Sequence, residues 1–421
     1  MSRWLLQGAT LVETDPPSVE RADLLVEDGE IVARGQGLRA ADTEVIDARG
    51  LVVMPGFVNA HTHLYSALAR GLPAPPVEDF QQALDRIWWP LDRSLSAEDV
   101  RISGLVGVAE AALAGTTTLI DHHASPAALV GSLAQLAGAY EQVGLRGALC
   151  YEVTNRNGHQ EAAAGVEETL QGRVGELPVL VGLHASFTLE AATLAALAEG
   201  PETPLHVHVA EGKGDVEDAR RRGFSGVLAR LDHHGLLRRG SILAHGVHLD
   251  ADEVALAQAR GCWLVHNPSS NRNNRVGYAR PGRFGERVAL GTDGIGSDMP
   301  GAFREAFLAA REHHHEVDLL ALWNGGHRLA SEHLGVPLGR LRPGYRADLV
   351  ALDHAPPTPL HADNVVGHLL FHIAAAHVRH VWVEGRAVVR DRSLVGVDWA
   401  DVSQEATTAA RALWERYEAE L

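Results

Sequence analysis

The chain has 421 residues, 46% hydrophobic and 22% charged, with a net charge of −17. That is ordinary globular composition, with room for one large domain or for that plus a smaller one. The acidic balance argues against nucleic acid or an anionic membrane as the main partner, and two cysteines cannot build a disulfide framework. No apolar run reaches membrane-spanning length, and the start of the chain breaks too early for a secretory signal, so a cytoplasmic location is expected.

Residues 4–54 read as short strands joined by turns. Asp28-Gly29 between two apolar runs is a strong hairpin signal, and a second strand pair is expected at Glu44–Asp47 and Leu51–Val53. From Gly56 the texture changes to alternating strand and helix. Eight short apolar strands are expected at 56–60, 117–121, 147–152, 179–184, 205–210, 241–246, 262–267 and 288–293. The stripe Leu105, Val106, Ala109, Ala112 and Leu113 reads as a helix capped by Gly115, and Asp250 as the N-cap of another. Eight alternations over about 290 residues imply a (β/α)₈ TIM barrel, slightly longer than usual. After it come a strand at Leu349–Leu352, a hairpin turning at Glu384-Gly385, and an amphipathic helix over 401–421. Strands therefore bracket the barrel. The organisation expected is 1–54 and 346–421 as the two parts of a small β-sandwich, the second carrying the terminal helix, with 55–345 as the barrel.

Between the first barrel strand and the helix near Ala97 lie some thirty residues, including Gln81, Trp88 and Trp89. A loop that long at a barrel strand end reads either as a lid or pocket wall or as a surface excursion packed by its own tryptophans.

The chemistry sits at the expected strand ends. His61 and His63, at i and i+2, project to the same side of an extended chain. His184 ends the fourth strand, His206 and His208 lie on the fifth with Glu211 just beyond, His245 ends the sixth, and Asp293 the eighth. Barrel strand ends converge on one face, where active sites sit. Three imidazoles and a carboxylate suit Zn²⁺, with Fe²⁺ second. His61, His63, His208 and Asp293 are the expected ligands. His206 shares the parity of His208 and is read as a core histidine deeper in the barrel. The fourth strand carries no lysine for a carbamate bridge, so one metal is expected.

The sequence resembles the amidohydrolase superfamily, in the branch with cytosine, guanine and S-adenosylhomocysteine deaminases and triazine hydrolases. The resemblance rests on the run from Pro55 to His63, Thr116–Thr118, His208–Glu211, Leu243–Leu249, His266–Asn271 and Gly291–Gly294. Asp121–Ser125, Asn271–Asn274 and Gly294–Met299 are most similar to SsnA-type aminohydrolases. The resemblance implies a metal-dependent barrel beside a sandwich built from both termini. By the same resemblance His184 would contact the substrate.

The activity expected is hydrolytic deamination of a nitrogen heterocycle (purine, pterin, pyrimidine or triazine-like) with release of ammonia. Asp293 would take a proton from water, His245 would hold that water, and Glu211 would protonate the ring and then the leaving amine. Trp88, Trp89 and Gln81 would wall the pocket against a flat ring, and Arg156 would meet an anionic oxygen. Dechlorination, or a metal-holding scaffold without turnover, are the alternatives. His122 and His123 read equally as pocket groups or backbone partners. Asn271 reads as shaping its loop, and His159, His233, His234 and His313–His315 as surface residues. A homo-oligomer is compatible with all of this.

Overall fold

The computed structural model describes residues 3–421, a mixed α/β chain with two bodies of strand. Among those residues no helix is long and apolar enough to cross a membrane.

Eight parallel strands carry the site: Phe57–Thr62, Thr116–Asp121, Arg146–Ala148, Val181–Ala185, Leu205–Val209, Ile242–His245, Trp263–His266 and Val288–Leu290. All residues in seven of them are buried, which is why they read as apolar runs without alternation. Regular ladders join the first three strands and the last five. Parallel bridges at Leu149–Val179 and Val153–Leu183 link the third to the fourth, and Thr62–Asp293 links the first to the last. The third strand is shorter than expected. Its chain leaves regular pairing after Ala148 and continues extended toward Glu152, so that carboxylate rises to the same end as the histidines.

The other body is a nine-stranded sheet drawn from residues 3–55 and 349–394. Val52–Pro55 sits between Arg3–Thr14 and Leu349–Leu352, tying the two ends of the chain together. The expected pairing of Glu44–Asp47 with residues 51–53 does not form. Both segments pair with the long first strand, in parallel, because that 12-residue strand is long enough to take them end to end. Asp28-Gly29 and Glu384-Gly385 are two-residue turns with positive φ at both positions (48° and 81°, 50° and 70°), matching the strand twist. Trp4 and Trp382 lie three strand spacings apart along the sheet, about 14 Å if it were flat. Their rings stack at 5.6 Å, so the sheet folds over its own apolar face.

The helix Ala97–Leu113 starts at a Ser96/Asp99 capping box and ends before Gly115, as the sequence implied. Asp250 caps Ala251–Ala259 through the amides of Asp252 and Glu253. The terminal helix, Trp399–Glu420, packs on the helix Ala97–Leu113 and on the insertion before it. Trp414 Nε1 donates to Leu68 O (2.9 Å), Arg416 Nε to Ser94 O (2.9 Å) and Tyr417 OH to Arg86 O (2.7 Å). These bonds satisfy carbonyls of the insertion, so the tail braces it from outside.

Gly291 lets the eighth strand approach the first. A Cβ there would lie 2.4 Å from Asn267 Oδ1 and 2.9 Å from the His61 carbonyl oxygen. Gly291→Ala is expected to destabilise the protein by about 1–3 kcal/mol, read as a lower denaturant midpoint. A midpoint equal to that of the parent chain would show that this approach does not constrain the fold.

Candidate metal centre and active site

His61, His63, His208 and Asp293 come together: their ligating atoms all lie within 4.8 Å of one another. His63 Nε2 is 2.8 Å from Asp293 Oδ1 and 3.1 Å from His208 Nε2, and His61 Nε2 is 3.4 Å from the same carboxylate oxygen. Zinc–ligand bonds of about 2.0–2.2 Å in a tetrahedron leave ligand atoms roughly 3.4 Å apart, so the spacing fits.

The tautomers are set from behind. His63 Nδ1 donates to His122 O (2.6 Å) and His208 Nδ1 to His184 O (2.8 Å), which leaves lone pairs on the facing Nε2 atoms. Two such lone pairs at 3.1 Å repel unless a cation lies between them. His61 Nδ1 pairs with His206 Nε2 at 2.8 Å, while His61 Nε2 is buried without a hydrogen-bond partner. The cluster demands positive charge, and its donors are those of a divalent ion.

His206 is therefore more than the core histidine read from the sequence. It is wholly buried, but it touches the first ligand and orients it. Its parity with His208 was visible; its contact across the strands was not. The chain's one lysine, Lys213, lies on the helix after the fifth strand, so no lysine stands where a carbamate bridge would need it.

Backbone strain accompanies the site. Asp293 (φ 55°), His245 (φ 71°) and Ala210 (φ 47°) occupy the left-handed region, where non-glycine residues cost about 1 kcal/mol or more. Each lies at or just beyond a strand end and turns the chain inward. Ser270 Oγ donates a short hydrogen bond to Asp293 Oδ2.

Glu211, His245 and Asp293 form a second convergence. His245 Nδ1 donates to Asn271 Oδ1 (2.8 Å), so its Nε2 lone pair points inward, 3.7 Å from Glu211 Oε2 and 3.9 Å from Asp293 Oδ2. Three acceptors around one space suit a water molecule that donates. Burial raises the Glu211 carboxyl above its ordinary pKa, against the pull of His245, and Asn274 Nδ2 donates to its Oε1 (3.2 Å). Asn271, read from the sequence as a loop-shaping residue, is the group that sets the His245 tautomer. Asn274 and Ser270 were missed. All three lie in or beside the short helix Pro268–Asn273, whose motif was recognised without their roles.

A cavity opens above the cluster. Trp88 and Trp89 line it, with Phe80 and Leu84 from the same insertion, so that segment is a pocket wall. Its Leu84–Trp88 stretch is a π-turn, a device frequent near functional sites. His184 lines the cavity as expected. Gln81 does not: it is exposed, lies on a wider outer pocket and donates to Asp85 Oδ1 (3.0 Å), because the helical turn at Phe80–Ala83 points it outward. Arg156 lines the cavity, yet it is not free for an anionic oxygen. Its guanidinium makes a short ion pair with Asp92, lies 3.5 Å from Glu152 Oε1 and rests 5.1 Å above the Trp89 ring.

Of the pair left open, His122 Nε2 faces Leu183 O (3.0 Å) and its Nδ1 lies 3.3 Å from Glu152 Oε2. His123 is held by Ser125 Oγ at 2.8 Å and pins its loop. His159, His233 and His313–His315 are exposed and His234 half-buried, consistent with a surface reading.

A parallel α/β body with a histidine–carboxylate metal cluster at its strand ends defines a metal-dependent hydrolase. The amidohydrolase family model matches residues 52–388. A 5-methylthioadenosine/S-adenosylhomocysteine deaminase from Desulforudis audaxviator is 31% identical, covering 93% of this chain and 95% of that one. Among solved structures, a zinc-bound adenosine deaminase from Xanthomonas campestris superposes with a TM-score of 0.85 at 25% identity over 98% of both chains. The zinc complex of atrazine chlorohydrolase TrzN from Arthrobacter aurescens shares the fold, with a TM-score of 0.82 at 21% identity over 96% of this chain and 99% of its own. The chain belongs to the amidohydrolase family.

Replacing His206 with Phe removes the partner of His61 Nδ1 while keeping volume. Zinc affinity, measured by chelator competition, is expected to fall about 10- to 100-fold. Unchanged affinity would mean that His206 does not orient the ligand.

Proposed function

We propose that this amidohydrolase hydrolytically deaminates a nitrogen heterocycle and releases ammonia. The observation that carries the reading is the convergence of His61, His63, His208 and Asp293 beside Glu211 and His245, under a cavity walled by Trp88 and Trp89. In this reading the eight parallel strands form a closed (β/α)₈ barrel, and the folded sheet is a separate small β-sandwich domain. His61, His63, His208 and Asp293 hold one divalent ion, zinc by preference, since nitrogen donors with one carboxylate are a zinc set. Bound there, the ion supplies Lewis acidity that lowers the pKa of water toward about 7.

The chain's own groups do the rest. His245 Nε2 and Asp293 Oδ2 accept hydrogen bonds from the attacking water, and Asp293 takes its proton. Glu211, kept protonated more readily by its burial, delivers a proton to a ring nitrogen as the C–O bond forms. Glu211 then takes the proton left on the attacking oxygen and passes it to the exocyclic amine as the C–N bond breaks and ammonia leaves, and the proton held by Asp293 restores Glu211. His184 contacts the ring, and Trp88 and Trp89 exclude water from its faces. The named activities of the deaminase relatives support this assignment.

The test is a heterocycle screen for ammonia on protein of measured metal content, with Glu211→Gln alongside. That variant is expected to keep its metal and lose about 10²-fold or more in kcat. Full turnover in Glu211→Gln would overturn the acid assignment. Chloride release in place of ammonia would favour the dechlorinating alternative, and no release of either from a broad panel would favour a scaffold.

A further inference from the structure

Glu152 has no part in the chemistry just described, yet it is a carboxylate 3% exposed that lines the cavity on the side of His122, away from Glu211. Its oxygens are only loosely engaged. Oε2 lies 3.3 Å from His122 Nδ1, and Oε1 lies 3.5 Å from Arg156 Nη2 and 3.9 Å from His184 Nε2. Arg156 alone among these is charged at every pH. It serves two carboxylates, those of Asp92 and Glu152, so the cluster offers no spare positive charge to a ligand.

His184 completes the arrangement. Thr188 Oγ1 donates to Ala185 O (3.1 Å) and so accepts from His184 Nδ1 (2.9 Å). The inward Nε2 therefore carries a lone pair. Two acceptors, Glu152 Oε1 and His184 Nε2, thus face the cavity 3.9 Å apart with no donor between them. A buried acceptor left without a donor is costly, so the wall selects ligands that donate.

We infer that Glu152 and His184 form a specificity subsite that accepts hydrogen bonds from the substrate. Its substrate is then a heterocycle bearing a further N–H or NH₂ donor besides the amino group that leaves. This rests on the deaminase reading for the leaving group, but the donor preference stands on the acceptor pair alone.

The experiment measures binding by calorimetry and ammonia release in parallel, on zinc-loaded protein, for two matched pairs. These are 2,6-diaminopurine against adenine, and 2,4-diaminopyrimidine against 4-aminopyrimidine. The donor-richer member is expected to bind about 10-fold or more tightly. Glu152→Gln is expected to erase that difference through Kd and KM, with metal content unchanged and Glu152→Asp restoring part of it. The comparison in the unmutated protein needs no variant to fold. Donor preference without ammonia would uphold the subsite and defeat deamination. Ammonia without donor preference would do the reverse. Absence of binding by all four compounds, or a second zinc equivalent lost in Glu152→Gln, would overturn the subsite, the latter because Glu152, His184 and His208 would then be ligands.

Discussion

The His63 and His208 lone pairs and the Asp293 carboxylate, held together in a buried space, repel one another, and the protein is built to keep them there. Each ring is oriented from behind: by the His122 carbonyl, by the His184 carbonyl, and by the His206 ring. Asp293 is turned inward by a left-handed backbone and secured by Ser270. A flexible cluster would relax by swinging its rings apart. This one cannot, because every ring is packed on strands buried on both faces. Binding of a cation then gains from repulsion already present, the usual route by which a fold makes a metal site tight.

The same rigidity explains the division of labour around the cavity. The strands and the short helix Pro268–Asn273 carry the groups whose placement must be accurate. The insertion after the first strand carries Trp88, Trp89 and Asp92, which shape the wall. The terminal helix braces that insertion by hydrogen bonds to three of its carbonyls. The last twenty-odd residues of the chain thereby hold the wall of a pocket formed by residues some 330 positions earlier, as the separation of Tyr417 from Arg86 records.

Charge inside the cavity follows from counting partners. Arg156 appears in the sequence as a cation on the loop after the third strand. In the fold it stands between Asp92 and Glu152, and burial raises Asp92 to about pH 7 even with the guanidinium beside it. The polar wall opposite Glu211 is therefore rich in acceptors rather than in positive charge.

The sequence by itself determined the strand–helix alternation, the hairpins at Asp28-Gly29 and Glu384-Gly385, and the placing of His61, His63, His208, Glu211, His245 and Asp293 at strand ends. Those are local matters: residue periodicity, turn chemistry, and side-chain parity along an extended chain. Only the tertiary structure decided that Glu44–Asp47 pairs with the first strand, that the terminal helix covers the insertion, that Arg156 is neutralised and that Gln81 points away. It also decided that His206 contacts His61, that Asn271 contacts His245, and that Glu152 stands beside His122, Arg156 and His184. Each of these depends on which distant segment supplies the partner, and one-dimensional spacing carries no information about that. A lone pair or a charge has its meaning set by what faces it.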